Sequence, residues 1–397
     1  MRRMILILGL GLAAAGAHAQ ATDAARKLAQ EALIVDTHID APDMLLEGWR
    51  DLTTRTDRDF DWPKARAGGL DIAFMSIYTS PRQDAADTAF HAANQQIDAV
   101  WALAARAPDK FAILSSPTDI RRLSRPGRVL LPLGMENGAP IGDDLKRLAF
   151  FQQRGVRYIT LAHSAANRIA DSSYGVERRW NGLSPFGREV VAEMNRLGIM
   201  VDVSHLSDAA ALQAIALSTV PVLATHSGMR HFTPGFERNV SDEVAKAIAA
   251  KGGVVQITFG TGFVNPQAAN AMQAKFRERA ALQARNAAAR AAGTPEEDET
   301  TWSEAWDKAH PSPRTPIDAV IAQIVYAVKL LGADHVGIGS DFDGVGGALP
   351  EGLRTAADYP NLIAGLQRAG LSKADIRKIL GSNLIRVWTA VEAGARR

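Results

Sequence analysis

Short runs of Val, Ile and Leu, each followed by a helical stretch, recur along this 397-residue chain and constrain its fold more than any other feature. Such runs suit strands buried on both faces of a parallel sheet. Eight are read as strands, at residues 33–35, 72–77, 129–133, 158–161, 200–203, 222–224, 254–258 and 336–338. Helices are expected at 143–154, 185–197, 207–217, 242–250 and 316–331. Pro185 and Pro316 suit first turns, and Gly155, Gly198 and Gly332 stand just past helix ends. Eight strands in this alternation predict an α/β fold, a (β/α)8 TIM-type barrel. A further run, 111–114, either displaces 129–133 or adds an edge strand. Residues 267–312 are rich in Ala, Arg and Gln, then acidic at 296–299, with few large apolar side chains. They are read as an exposed helical insertion before the last βα unit, either a lid or an inert excursion. Trp302 and Trp306, four apart, are expected to pin one end of it to the body.

In a parallel barrel, side chains from distant parts of the sequence converge at the carboxyl ends of the strands. Six of the expected strands end on ionisable residues. The first delivers His38 and Asp40, two apart and so on one side of an extended segment. The third delivers Glu136 between Gly134 and Gly138, and the fourth His163, with Asn167 and Asp171 behind it. The fifth and sixth deliver His205 and His226, and the last delivers Asp341 and Asp343. Any one of these histidines fits a core position; four of nine at strand ends, with acids in matching places, point to a metal-binding active site. His91, His310 and His335 fall in helical or loop contexts and are expected at the surface.

Composition narrows the chemistry. The chain has no Cys, which removes disulfides, thiolate metal sites and Cys nucleophiles, so any metal must be held by His, Asp and Glu. There are 45 Lys+Arg and 43 Asp+Glu. Residues 1–19 have the layout of a secretory signal: Arg2-Arg3, an apolar run, and Ala17-His18-Ala19 as the cleavage site. The apolar run falls short of the ~20 residues of a membrane span. Removing the two arginines leaves 43 bases against 43 acids, a formally neutral product. The expectations are therefore a domain at 20–397, export to the periplasm or beyond, no nucleic-acid partner and no transmembrane span in the mature chain.

The residues also carry a family resemblance. IVDTHID, GGLDIAFMSIY, GMENG, RYITLAHSAANRIADSS, NGLSPFGREVVAEMNRLGIMVDVSHLS, PVLATHSGMRHF with ERNVSDEV, GGVVQITF, VGIGSDFDG and LGSNLIRVW occur in order over residues 32–388. In these segments the chain resembles the zinc-dependent membrane (renal-type) dipeptidases, (β/α)8 metallopeptidases. The resemblance implies two Zn²⁺ ions. His38 and Asp40 correspond to ligands of one, His205 and His226 to ligands of the other, and Glu136 to the bridging carboxylate. It places His163, Arg238 and Asp341 on the substrate side: at the scissile carbonyl, at the substrate carboxylate, and in proton or amine handling. It implies hydrolysis of dipeptides by metal-activated water, including those with a D-configured C-terminal residue. Two positions depart from the family's usual pattern: Asn137, often Gly, and Ile39, often polar. Other barrel amidohydrolase chemistry (lactone, phosphotriester or deaminase-type substrates) and a non-catalytic metal-binding homologue are the alternatives, and a homodimer is left open.

Overall fold

The computed structural model describes residues 21–175 and 178–395; the expected signal segment and its cleavage site lie outside them. Ten strands are present among the described residues. They are β1 Ile34–Ile39, β2 Leu70–Tyr78, β3 Phe111–Ile113, β4 Val129–Leu131, β5 Leu133–Glu136, β6 Val156–Thr160, β7 Met200–Asp202, β8 Leu223–Ser227, β9 Val254–Ile257 and β10 Val336–Ile338. Every pairing is parallel, in the order β10-β9-β8-β7-β6-β5-β2, with β1 on the other side of β2. A parallel bridge between Ile39 and Phe342 brings β1 back to the end of β10. There the Asp341 N–H donates to the His38 carbonyl at 3.0 Å and the Asp40 N–H to that of Phe342 at 2.9 Å. Strands β1, β2 and β5–β10 thus form the staves of a TIM-type barrel, as expected.

Two expectations are refined. The run at 129–133 is not one strand: Pro132 has no N–H for the ladder, and the chain divides there into β4 and β5. Only β5 is a stave; β4 touches β2 at a single pair, Ile72 and Leu130, and β3 adds to its outer side. The run at 111–114 is therefore an edge strand and displaces nothing. The first strand, in turn, continues past Val35 to Ile39, so His38 lies within it and Asp40 just beyond.

Alternation along the strands builds two cores. One buried cluster joins the sheet to the surrounding helices. The other draws Val35, Ile72, Tyr158, Met200, Leu223 and Val254 from six different strands, a meeting that only the barrel interior allows. Trp388, from the helix Asn383–Gly394, belongs to this inner cluster and lies 5.3 Å from the Phe74 ring. Helix starts follow local chemistry. Ser184, Ser207 and Ser241 each accept a backbone N–H at the first turn, and Gly198 ends Pro185–Leu197 in the left-handed region.

Between β9 and β10 the insertion forms two helices, Pro266–Ala292 and Glu299–Ala309. They are joined by charge and amide pairing rather than by a core: Lys275 with Asp307 at 2.6 Å, Arg279 with Glu299, and Asn286 with the Glu297 backbone. The two tryptophans expected to pin the insertion make their ring contacts inside it. Trp302 packs on Trp306, and Trp306 stacks on His310 at 4.0 Å, all within the insertion. Contact with the body comes from Phe276 stacked on Tyr174 at 4.0 Å, from Met272 against Gly262, and from Arg82 facing Glu299. Among the described residues no helix is long and apolar enough to cross a membrane.

Candidate metal centre and active site

All eight sequence-derived site residues converge at the carboxyl end of the barrel. Glu136, the last residue of β5, stands at the centre and divides its two oxygens. Oε2 lies 3.5 Å from His38 Nε2, which is also 3.5 Å from Asp40 Oδ2. Oε1 lies 3.0 Å from His205 Nε2 and 3.2 Å from His226 Nε2, and those two nitrogens are 2.8 Å apart. A ligand distance of ~2.0–2.2 Å in tetrahedral geometry puts donor atoms roughly 3.3–3.5 Å apart. The His38–Asp40–Glu136 set has that spacing already, and the Glu136–His205–His226 set needs only a few tenths of an ångström more. His38 Nε2 and Asp40 Oδ2 are buried without a hydrogen-bond partner, as donor atoms directed at a cation would be. Three imidazoles and two carboxylates without sulfur suit Zn²⁺.

The electrostatics follow from this crowding. Burial alone would raise the Glu136 carboxyl, but the surrounding histidines, His163 and His38 first, hold it well below its ordinary range. Burial, reinforced by Arg238, pushes His205 well down; burial and the neighbouring His38 do the same to His226. Both are left as neutral imidazoles, the ligating form. Asp341 is pushed up to about 8, by burial first and then by the charge of Asp40. A nearby cation would reverse that shift.

Backbone conformation re-aims several of these side chains. His205, Asp341 and Asp343 have φ of 67°, 66° and 65°, a region costly to non-glycine residues and found chiefly where function over-determines the backbone. Asn137 has φ 77°, which explains how Asn replaces the more usual Gly there: Asn tolerates the left-handed region. Its amide bonds the Thr79 carbonyl at 2.9 Å and accepts from Asn167 at 2.8 Å. Ile39, the other departure, is fully buried at the β1–β10 seam and faces no ligand.

A cavity of about 700 Å³ opens over the centre. Asp40, Glu136, His163, His205 and Asp341 reach its floor, while Lys275, Phe276, Arg279 and Trp306 of the insertion form its roof. His163 Nε2 is 3.6 Å from Glu136 Oε1, and burial draws its pKa down. Arg238 is placed differently. It is 2% exposed and sits one layer behind the floor, its Nη2 donating to the His226 carbonyl at 2.8 Å and facing His205 Nε2 at 3.0 Å. Its Nε is unpaired, and its guanidinium lies over the Phe263 ring. His310, expected at the surface, is exposed but on the cavity side of the insertion.

Tyr78, Asp43 and Tyr174 line the cavity and were not singled out in the sequence reading. Tyr78 ends β2, so the strand-end rule could have found it; its ring meets that of His163 edge-on at 4.8 Å. Asp43, three residues past Asp40, is pushed up to about 6 by burial and by Glu47. Tyr174, whose hydroxyl is raised by burial, carries no local signal at all.

Comparisons with known proteins bear on this geometry. The profile of the membrane dipeptidase family (Peptidase family M19) matches residues 22–397. The dipeptidase tcpJ of Claviceps purpurea is 30% identical over 336 residues, 83% of this chain and 68% of the relative. An uncharacterized dipeptidase of Schizosaccharomyces pombe is 28% identical over 387 residues, 92% of this chain and 82% of the relative. Among solved structures, the probable dipeptidase PvdM of Pseudomonas aeruginosa superposes with a TM-score of 0.79 at 28% identity, covering 94% of this chain and 98% of the other. A barrel with this donor cluster at its carboxyl end and this match along nearly its whole length belongs to the membrane dipeptidase family, peptidase family M19, and is a metallopeptidase that hydrolyses dipeptides.

Proposed function

We propose that this dipeptidase works with two Zn²⁺ ions, one held by His38, Asp40 and Glu136 and the other by Glu136, His205 and His226. The observation that supports this reading is the division of Glu136, one oxygen toward each donor set. Bound there, the ions supply water ionised near neutral pH and polarise the peptide carbonyl. The remaining chemistry belongs to side chains. His163, as a neutral N–H donor facing the cavity, stabilises negative charge on the carbonyl oxygen during attack. Asp341 accepts the proton of the attacking water and returns it to the leaving amine. Asp43 and Asp343 place carboxyl groups on the cavity wall, where a free substrate amine can pair with them.

Arg238 provides the opposite pole. Tyr174 and Phe263 line the cavity in front of Arg238, and a substrate carboxylate that passes between them would reach a buried guanidinium with an unspent Nε–H, where a charge-assisted bond is strong. A third residue would put an amide where this pairing is needed, so the substrates are dipeptides, a D-configured second residue included. The test is a substrate panel with the zinc-loaded protein. Free dipeptides, L-Xaa-D-Xaa among them, should turn over faster than tripeptides or N-acyl esters; the reverse order contradicts the reading. Arg238→Lys should raise KM by ten-fold or more while metal content stays constant, because a point charge replaces a fork. Equal loss of both would give Arg238 a role in the metal site instead.

A further inference from the structure

We propose that Asp202 and Thr225, neither of which reaches the cavity, are positioning residues that fix the tautomer of His226 and so keep its Nε2 free to bind metal. The inference rests on the reading of His226 as a ligand. Asp202 closes β7 and Thr225 lies in β8 beside it, and both side chains are completely buried. The Asp202 carboxylate accepts four hydrogen bonds. Oδ1 takes the backbone N–H groups of Ser204 at 3.0 Å and Thr225 at 2.9 Å; Oδ2 takes the hydroxyls of Thr225 at 2.7 Å and Thr160.

A proton count then decides the direction of the next bond. The Thr225 hydroxyl has one hydrogen, and the carboxylate claims it. Toward His226 Nδ1, 2.8 Å away, the same oxygen can only accept. His226 therefore carries its hydrogen on Nδ1, and its Nε2 lone pair faces Glu136 Oε1 and His205 Nε2. His38 offers the contrast. Its Nδ1 meets the Tyr158 hydroxyl at 2.8 Å, which has no second hydrogen bond among the described residues and can point either way. Asp202 is thus the far end of a relay in which a carboxylate acts on a metal ligand through an intervening hydroxyl, an outer-shell arrangement of the kind that tunes metal affinity.

The relay should invert on a single substitution. In Asp202→Asn the two backbone N–H groups still need an acceptor, which fixes the carboxamide oxygen at the Oδ1 position and its NH₂ at Oδ2. The amide then donates to Thr225, whose hydrogen turns toward His226 Nδ1. His226 is forced into the Nε2–H form, which has no lone pair for the metal. Loss of an orienting carboxylate's charge with its shape kept is known to impose a wrong tautomer in this way.

Long-range ¹H–¹⁵N correlation of metal-free, ¹⁵N-histidine-labelled protein reads the tautomer directly. The wild-type chain should show Nδ1–H at His226, and Asp202→Asn should show Nε2–H. Equilibrium dialysis at fixed free Zn²⁺ should find one of two zinc equivalents weakened by about 10–100-fold in Asp202→Asn and in Thr225→Val, with the other unchanged. Thr225→Ser, which keeps the hydroxyl, should bind both like wild type. Nε2–H in the wild-type protein, Nδ1–H in Asp202→Asn, or equal zinc binding by Thr225→Val and Thr225→Ser would overturn the proposal. If Asp202→Asn does not fold, the wild-type spectrum and the Thr225 pair still decide. The ligand reading fails separately, if His226→Ala retains both zinc equivalents.

Discussion

At the scale of single residues, the centre is built so tightly that atoms without chemistry of their own control it. A Cβ on Gly344 would lie 2.2 Å from Asp40 Oδ2 and 2.5 Å from Asp341 Oδ1. Gly134 plays the same part on β5: a side chain there would strike the Tyr158 ring at 1.9 Å, and that ring carries the hydroxyl that meets His38. Gly344→Ala should displace both carboxylates and weaken zinc binding by about ten-fold or more without unfolding the chain, because misplaced ligands cost affinity on that scale. Competition against a chromophoric chelator, with circular dichroism as the control, checks this. Wild-type affinity in a folded Gly344→Ala protein would mean that the two carboxylates are not held by this contact. The candidate ligands are legible in the sequence because a strand end announces where its side chain goes. Their supports are not: Tyr158, Asp202 and Thr225 sit inside strands and read there as ordinary strand residues.

Among elements, the insertion matters most. Its composition foretold exposed helices, and helices form, but their place over the cavity depends on contacts that no local pattern carries. Phe276 and Tyr174 are about a hundred residues apart and meet only because β6 and β9 open on the same face of the barrel. The division of 129–133 is similar: Pro132 was visible, yet which half joins the barrel is settled by pairing with β2 and β6. An aromatic pair contributes ~0.5–1.5 kcal/mol beyond its buried area. Phe276→Ala should therefore loosen the roof and raise KM for dipeptides by roughly two- to ten-fold, while zinc content stays at the wild-type level. Steady-state kinetics beside metal analysis separates the outcomes; an unchanged KM with lost zinc would place Phe276 in support of the metal site.

For the whole molecule, the metal centre and the fold are one thermodynamic object. The candidate donor groups come from β1 and the residue after it, from β5 and β8, and from the loop after β7, so a bound ion would tie together separate strands of the barrel. Ligands that bind only the folded chain add RT ln(1 + [L]/Kd), about 2.7 kcal/mol per site at a hundred-fold excess over Kd. For a chain of this length, stripping both ions with a chelator should lower Tm by roughly 5–10 °C. His226→Ala should show a smaller drop, having fewer ions to lose. An identical drop in His226→Ala, or none in wild type, would separate the metal from the fold.

The central claim is that two ions share Glu136 and that both are needed for peptide hydrolysis. Titrating metal-free protein with Zn²⁺ while following cleavage of a free dipeptide tests it most directly. Activity should reach its plateau at two equivalents per chain, and Glu136→Gln should abolish the plateau at any zinc level. Full activity at one equivalent, or turnover by the metal-free chain, would contradict the account.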